Sequence, residues 1–170
     1  GLMGKSVLEA GCGDGHFAEA LEEQGAKVTG VDPGGPAVQV ARGRGINVLE
    51  GALSPNLALE RHSFDAFVCR QVISHVEDLD TFIRGVGAFL KPTGTGFIEA
   101  PDITLAIRES RYFDFFADYV NFFTPDTMWR LLSENKLVVS EVTPRMNSEY
   151  FLTVFSARDA DPGFLDFSEP

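Results

Sequence analysis

Three glycines at alternate positions follow a short apolar run near the start of the chain. The segment Glu9 to Gly15 reads EAGCGDG, comes after Val7-Leu8 and leads into a helical pattern. Glycines at such a strand-to-helix turn let the backbone bend tightly and pass close to a ligand, which a side chain would block. The spacing is G-x-G-x-G, whereas the dinucleotide fingerprint G-x-G-x-x-G would need a third glycine at His16. The loop therefore predicts a bound ligand and disfavours a pyrophosphate.

Two acidic residues are in register with this loop. Glu9 stands two residues before Gly11, so we expect its carboxylate in the cleft beyond the first strand, facing a cationic group of the ligand. Asp32 stands 21 residues after Gly11, at the end of the second predicted strand, where an acid can accept hydrogen bonds from both hydroxyls of a ribose. Asp32 could instead be a turn residue before Pro33-Gly34-Gly35. The register favours the ribose interpretation and an adenosine-like ligand.

The elements that must position these residues alternate along the chain. Strands are predicted at 7–8, 27–31, 46–49, 64–69, 96–100, 137–142 and 151–156, and helices at 17–24, 36–42, 79–90 and 124–132. Five strands separated by helices predict a parallel sheet covered on both faces. The last two strands are joined by a short link, so they predict a hairpin that makes the sheet mixed.

Composition limits the choice of partner. The chain has 25 acidic and 14 basic side chains, a formal charge of −11, which would repel nucleic acid and anionic membranes. Cys12 and Cys69 are too few for a disulfide framework, and no Cys/His grouping has the spacing of a metal site. Without a membrane span or a signal sequence, we expect a cytoplasmic protein. We expect one domain over residues 1–157, followed by a tail or linker at 158–170.

Three strings together closely resemble the class I S-adenosylmethionine-dependent methyltransferases: VLEAGCGDGHFAEAL, VTGVDPG and SFDAFVCRQVISHVEDLDTFIRGVGAFLKPTGTGFIEAPD. The resemblance covers roughly residues 5–157. It implies a Rossmann-like, doubly wound, seven-stranded α/β sheet that is mixed, with the last strand antiparallel and helices on both faces. It also implies S-adenosylmethionine over the carboxyl ends of strands one and two, and a small-molecule substrate beyond strands four and five. The implied cofactor-binding residues are Glu9, Gly11, Cys12, Gly13, Gly15, Asp32, Leu53 and Arg70.

The resemblance also suggests roles for several of these residues. Glu9 would face the methionine amino group, and Asp32 would hold the ribose. Arg70 or Gln71 would lie near the reacting methyl group. Relatives often have Gly-Asp-Ala after strand three, with the acid on the adenine, whereas this chain has Gly51-Ala52-Leu53. We therefore expect apolar packing and backbone groups around Leu53 to recognise the adenine.

Methyl transfer needs alignment and sometimes a base, for which the candidates are His16, His75, Asp118 and Tyr119. His16 begins the first helix beside the loop, whereas His75 matches a histidine common in the family and is interpreted as structural. His62, in a charged loop, is interpreted as solvated.

An aromatic segment, residues 108–123, is expected to cover the substrate, with its rings packed as the core of a lid. The run FADYVNFF within it resembles nucleotide-sugar C-methyltransferases, with Asp118 in place of their glutamate and Tyr119 in place of their histidine base. This points to a small, sugar-like acceptor. A small-molecule O- or N-methyltransferase is at least as plausible.

Two other functions stay open on the sequence. A non-catalytic module could keep the fold, and an NAD-dependent oxidoreductase would share the acid at strand two while lacking the third glycine. The chain also starts almost at the first strand, where methyltransferases usually have one or two preceding helices. Either the cofactor site is more open than usual or the residues belong to a longer polypeptide with other domains, and we favour the second.

Overall fold

The computed structural model describes residues 1–157, which form one seven-stranded sheet. The strand order is β3-β2-β1-β4-β5-β7-β6. The strands are β1 (Ser6–Ala10), β2 (Lys27–Asp32), β3 (Asn47–Glu50), β4 (Phe64–Arg70), β5 (Leu90–Pro101), β6 (Val138–Arg145) and β7 (Tyr150–Ser156). The helices are α1 (His16–Glu23), α2 (Gly35–Gly43), α3 (Leu79–Phe89), α4 (Ile103–Arg108) and α5 (Pro125–Glu134). Short 3-10 turns occur at Ile73–His75, Tyr112–Asp114 and Met146–Ser148.

Strand pairing confirms the predicted mixed sheet. The first five strands pair in parallel, and β7 runs antiparallel to both β5 and β6. Strand β1 pairs with β2 on one side and β4 on the other, so the chain reverses its direction of travel across the sheet at β1. In open α/β sheets, ligands bind beyond the carboxyl ends of the strands at such a point.

Helices cover both faces of the sheet. On one face α3 and α5 pack against large apolar side chains of the strands, including Leu8, Phe67, Phe151 and Phe155. On the other face α1 and α2 bring small residues, Ala18, Val38 and Ala41, against β1, β2 and β3. Because β1, β2, β3, β4, β5 and β7 contribute side chains to both layers, burial fixes the register of these strands and the positions of the loops at the edge of the sheet.

Two elements differ from the sequence prediction. Strand β5 begins at Leu90, the last residue of the predicted helix 79–90, and not at residue 96, because buried Leu90 pairs with Phe64 of β4 before the ladder becomes irregular. Helix α4 was not predicted. It has six residues, capped by the Asp102 carboxylate, which accepts a hydrogen bond from Thr104 N–H at 2.9 Å. The predicted tail or linker, residues 158–170, lies outside the described residues, so the domain boundary stays a prediction.

Candidate active site

A cavity of about 530 Å³ lies at the carboxyl edge of the sheet, beside the glycine loop. This volume is within the range of about 300–1,000 Å³ usual for small-molecule sites. Its walls come from the ends of β1 and β2, from the segment after β3 and from the turn between β4 and α3. Gly11 and Leu53, both predicted to bind the cofactor, line it, together with Val31, Ala52, Val72, His75 and Phe82.

The three glycines of the loop differ in the space that surrounds them. Gly11 has φ +74°, and a Cβ there would lie 2.2 Å from Cγ2 of Val72, so this position excludes a side chain. Gly13 has φ +53°, but a Cβ there would meet no atom within 4 Å. Gly15 has φ +84° and packs against Ala41 of α2. The space beside Gly13 is therefore open to a ligand, whereas Gly11 and Gly15 hold the loop against its neighbours.

Asp32 connects this loop to the end of β2. Gly13 N–H donates to Oδ2 of Asp32 at 2.9 Å, and Gly34 N–H donates to Oδ1 at 2.7 Å. Asp32 is therefore a turn residue, as one interpretation of the sequence had it. Each carboxylate oxygen retains a further lone pair, so the same side chain can also accept from ribose hydroxyls.

Glu9 is enclosed in the protein and does not line the cavity that its neighbours Ala10 and Gly11 line. It is 3% exposed, and its Oε2 has no hydrogen-bond partner among the described residues. Burial raises the pKa of Glu9 to about 7, while the nearby Arg70 guanidinium lowers that pKa and the Asp32 carboxylate raises it. The Glu9 carboxylate is therefore buried and not open to the cleft, whereas its predicted contact with the cofactor stays a prediction.

Cys12 and Arg70 do not line the 530 Å³ cavity, and neither do Gly13, Gly15 and Asp32. The Cys12 side chain is buried against β2, since a Cβ on Gly30 would lie 2.5 Å from its Sγ. The Arg70 guanidinium stacks over the ring of Phe17, 4.5 Å from the ring centroid, and its Nε lies 3.7 Å from Oε1 of Glu99. The predicted contacts of Cys12 and Arg70 with the cofactor stay predictions.

A second cavity, of about 200 Å³, lies beyond the end of β5. The aromatic segment forms one wall, and the start of β7 with the residue before it forms another. Its lining combines aromatic rings with three carboxylates, Asp102, Asp114 and Glu149. Arg111 binds Glu149 through two hydrogen bonds of 3.0 and 2.7 Å, and it pairs with Asp114 at 2.7 Å. This guanidinium holds the pKa of the Glu149 carboxyl below its usual range.

One short turn separates the two cavities. In the 3-10 turn Ile73–His75, buried Ser74 lines the smaller cavity, and the next residue, His75, lines the larger one. The His75 ring packs edge-on against Tyr119, with centroids 4.9 Å apart. Its Nδ1 lies 3.1 Å from the carbonyl oxygen of Asp118 and 3.7 Å from Oδ2 of that residue. A proton on Nδ1 is thus held by Asp118, which leaves Nε2 as the basic nitrogen.

Comparison with known proteins agrees with this arrangement. A family model described as a methyltransferase domain matches residues 2–142. The chain belongs to this methyltransferase domain family. A ubiquinone biosynthesis O-methyltransferase from Nitrosospira multiformis is 30% identical over 157 residues, which cover 83% of this chain and 66% of that relative. The methyltransferase domain therefore spans slightly less than two thirds of the relative's length.

Solved structures agree on the fold. An S-adenosylmethionine-dependent methyltransferase of Thermotoga maritima, described as a possible histamine N-methyltransferase, aligns with a TM-score of 0.73 at 22% identity, covering 91% of this chain and 83% of that one. A geranyl diphosphate C-methyltransferase of Streptomyces coelicolor A3(2), solved with S-adenosyl-L-homocysteine, aligns with a TM-score of 0.73 at 14% identity, covering 92% and 76%. These alignments show the seven-stranded fold of the class I methyltransferases, and together with the family model they confirm the family and the fold that the sequence implied.

The structure separates the candidate bases of the methyltransferase domain. His16 is 69% exposed and lines neither cavity, with its Nε2 lying 2.9 Å from Arg44 Nη2 and 3.5 Å from Asp14 Oδ2. The pKa of Tyr119 is raised, chiefly by burial and also by the nearby Tyr150 and Asp118. His75 was interpreted as structural, yet it is the histidine at the junction of the cavities.

Sequence reasoning missed part of the second cavity. Asp102, Glu149 and Tyr150 were not singled out, although Asp102 directly follows β5 in the run FIEAPD. That position was a usable signal, because the carboxyl ends of parallel strands meet at one edge. Within residues 1–157 no cluster of His, Cys, Asp or Glu could hold a metal ion. No helix in that part of the chain is long and apolar enough to span a membrane.

Proposed function

We propose that this domain transfers the methyl group of S-adenosylmethionine, held in the 530 Å³ cavity, to a small molecule held in the 200 Å³ cavity. The observation that carries the proposal is that the two cavities adjoin at two consecutive residues: Ser74 lines the smaller cavity and His75 lines the larger one. A methyl donor and its acceptor must lie side by side, since the transfer is an in-line displacement. Two adjoining cavities at one edge of the sheet provide that arrangement.

The residues in and beside the larger cavity fit the cofactor: Gly11 lines it, whereas Gly13 and Asp32 are not in its lining, although Asp32 stands between the lining residues Val31 and Pro33. Gly11 and Gly13 leave the loop backbone free of side chains, and Asp32 offers free lone pairs beside Gly13. Leu53, with apolar neighbours after β3, offers a wall for an adenine ring. When bound, S-adenosylmethionine supplies an electrophilic methyl group on sulfur. The protein's part is to align the acceptor, exclude water and take up a proton.

We propose that His75 accepts the proton that the acceptor loses when it is methylated. Its Nδ1 is engaged by the Asp118 carbonyl, so Nε2 can accept a proton from the acceptor. The sugar-like acceptor suggested by the sequence rested on Tyr119 as a base, and the raised pKa of that phenol removes this support. The two arginines of the same segment, whose charge could have lowered that pKa, pair with other groups: Arg111 with Glu149 and Arg108 with Glu109.

Calorimetry with S-adenosylhomocysteine and with NAD tests the cofactor. We expect micromolar binding of the former and none of NAD, and the reverse result would contradict the proposal and support an oxidoreductase. A screen of phenols, alcohols and amines, with methylated products detected by mass spectrometry, tests turnover. A domain that binds S-adenosylhomocysteine but methylates nothing would be a non-catalytic module.

The role of His75 is tested with any acceptor found in that screen. A proton acceptor contributes roughly 100-fold or more to turnover, so His75→Gln should lose that factor and keep its affinity for S-adenosylhomocysteine. His16→Gln is the matched control, because His16 lines neither cavity, and it should keep full turnover. Equal losses in both variants would assign the effect to the fold.

A further inference from the structure

We propose that the 200 Å³ cavity binds its acceptor through a protonated amine. This inference rests on the proposed function, in which that cavity holds the methyl acceptor. The lining carries three carboxylates and five aromatic rings, two of which bear the hydroxyl groups of Tyr119 and Tyr150, but no lysine or arginine among the described residues. Acidic and aromatic groups share one preference, since both attract a cation.

The rings that form the outer wall stand close together. Tyr119 packs against Phe116, with centroids 5.2 Å apart, and against Phe122, with centroids 6.0 Å apart. A positive charge within about 6 Å of such a ring is attracted by its π-electrons, more strongly where water is excluded. Apolar rings alone would accept any flat molecule. The carboxylates must therefore supply the selectivity.

The three carboxylates are not equivalent. Asp114 and Glu149 share the guanidinium of Arg111, at 2.7 Å each, so their charge is partly balanced. Asp102 forms no ion pair within 4 Å among the described residues. Its Oδ1 accepts from Thr104 N–H, which leaves Oδ2 for a ligand. Asp102 is thus the carboxylate available to a cationic group.

Hydrogen-bond chemistry separates an amine from other acceptors. A carboxylate only accepts, so a ligand must donate, and an ammonium group offers three donors together with the opposite charge. A carboxylate or phosphate ligand would be repelled by the lining and by the formal charge of −11 on the chain. The size also limits the acceptor, because a cavity of about 150 Å³ takes a benzene ring. An aromatic ring with a short amine side chain matches the volume.

The test uses three probes that differ only in the terminal group: 2-phenylethylamine, 2-phenylethanol and phenylacetate. Each is titrated calorimetrically into the full chain saturated with S-adenosylhomocysteine. We expect the amine to bind at least about 10-fold more tightly than the alcohol, the ratio for one charged hydrogen bond, and the acid not to bind. Equal or tighter binding of the alcohol or the acid would overturn the proposal.

Two variants locate the effect at Asp102. Asp102→Asn removes the charge and keeps the helix cap, because asparagine caps helices as well as aspartate does. This substitution should weaken the affinity for 2-phenylethylamine roughly 10- to 100-fold and leave the affinity for 2-phenylethanol unchanged. Asp126→Asn removes an exposed acid in the first turn of α5, outside the cavity, and should change neither. Unchanged amine affinity in Asp102→Asn would overturn the assignment.

The two proposals fail in different ways. If S-adenosylhomocysteine does not bind, the proposed function fails, and the three probes can still be titrated into the protein without it. If S-adenosylhomocysteine binds and the amine shows no preference over the alcohol, only the amine inference fails.

Discussion

The two cavities at the edge of the sheet differ in the elements that line them and in the exposure of their side chains. The larger one is lined by the ends of the central strands, by the segment after β3 and by the turn between β4 and α3, and beside it one hydrogen bond joins Gly13 of the glycine loop to the Asp32 carboxylate. The smaller one is lined in part by side chains of the aromatic segment, among which Phe116 is 53% exposed, Phe122 39% and Phe123 5%. Among the seven aromatic residues of that segment only Phe123 is buried.

From this difference we expect the glycine loop to contribute mainly to stability and cofactor binding, and the aromatic segment mainly to the choice of acceptor. Substitutions in the glycine loop act on residues that also pack the core, so they should affect folding and cofactor binding together. Substitutions in the aromatic segment remove little buried area, so they should affect the acceptor and leave stability nearly unchanged. The expected core of a lid is therefore corrected, because most of these rings are exposed and contribute few buried contacts.

The largest expected effect is at Gly11. Gly11→Ala forces a non-glycine residue to φ +74° and places its Cβ 2.2 Å from Val72. Left-handed backbone and overpacking should together lower the free energy of unfolding by about 3 kcal/mol, as measured by urea denaturation. Gly13→Ala is the control, because its Cβ meets no atom within 4 Å. It should cost only about 1 kcal/mol in stability, and a larger cost would contradict the distinction between these glycines.

The next effect is a pH dependence from Glu9. Burial raises its pKa from the ordinary 4.5 to about 7, so the folded state binds a proton more tightly than the unfolded state does. The resulting stabilisation is fully present below about pH 4.5 and is lost as the pH rises through about 7. Glu9→Gln removes this dependence, so its stability relative to wild type should rise over that window by up to about 3 kcal/mol. Parallel stability curves for the two proteins between pH 4 and 8 would refute the burial argument.

Asp32 should show both of its roles at once. Asp32→Ala removes the acceptor for Gly13 N–H and Gly34 N–H, which should cost about 1–2 kcal/mol of stability. Loss of the ribose hydrogen bonds should weaken the binding free energy of S-adenosylhomocysteine, measured by calorimetry, by about 1.5–3 kcal/mol. A stability loss with an unchanged dissociation constant would leave Asp32 as a turn residue only.

The smallest effect is expected at Tyr119. Tyr119→Phe keeps the ring against His75 and removes only the hydroxyl, whose raised pKa makes it a poor base near neutral pH. Turnover with an acceptor from the screen should therefore stay within about 3-fold, whereas loss of a base would cost 100-fold or more. A loss of that size would indicate that Tyr119, and not His75, accepts the proton.

The sequence by itself determined the fold and half of the site. Apolar periodicity located all seven strands and four of the five helices, missing only α4, whose six residues include β-branched Ile103, Thr104 and Ile107. The segment from Glu9 to Gly15 and the register of Asp32 could be interpreted because β1 and β2 are adjacent parallel strands, so spacing along the chain translates directly into position at one edge.

Only the tertiary structure decided which side chains meet. The ring of His75 is engaged by a carbonyl 43 residues later, and Arg111 binds Glu149 38 residues later, pairs that no local pattern contains. The pKa of Glu9 also depends on distant elements, because the charges of Arg70 on β4 and Asp32 on β2 act on its carboxyl. Local propensity fixes where strands and helices form, but the contacts of a side chain depend on packing between elements far apart in the sequence.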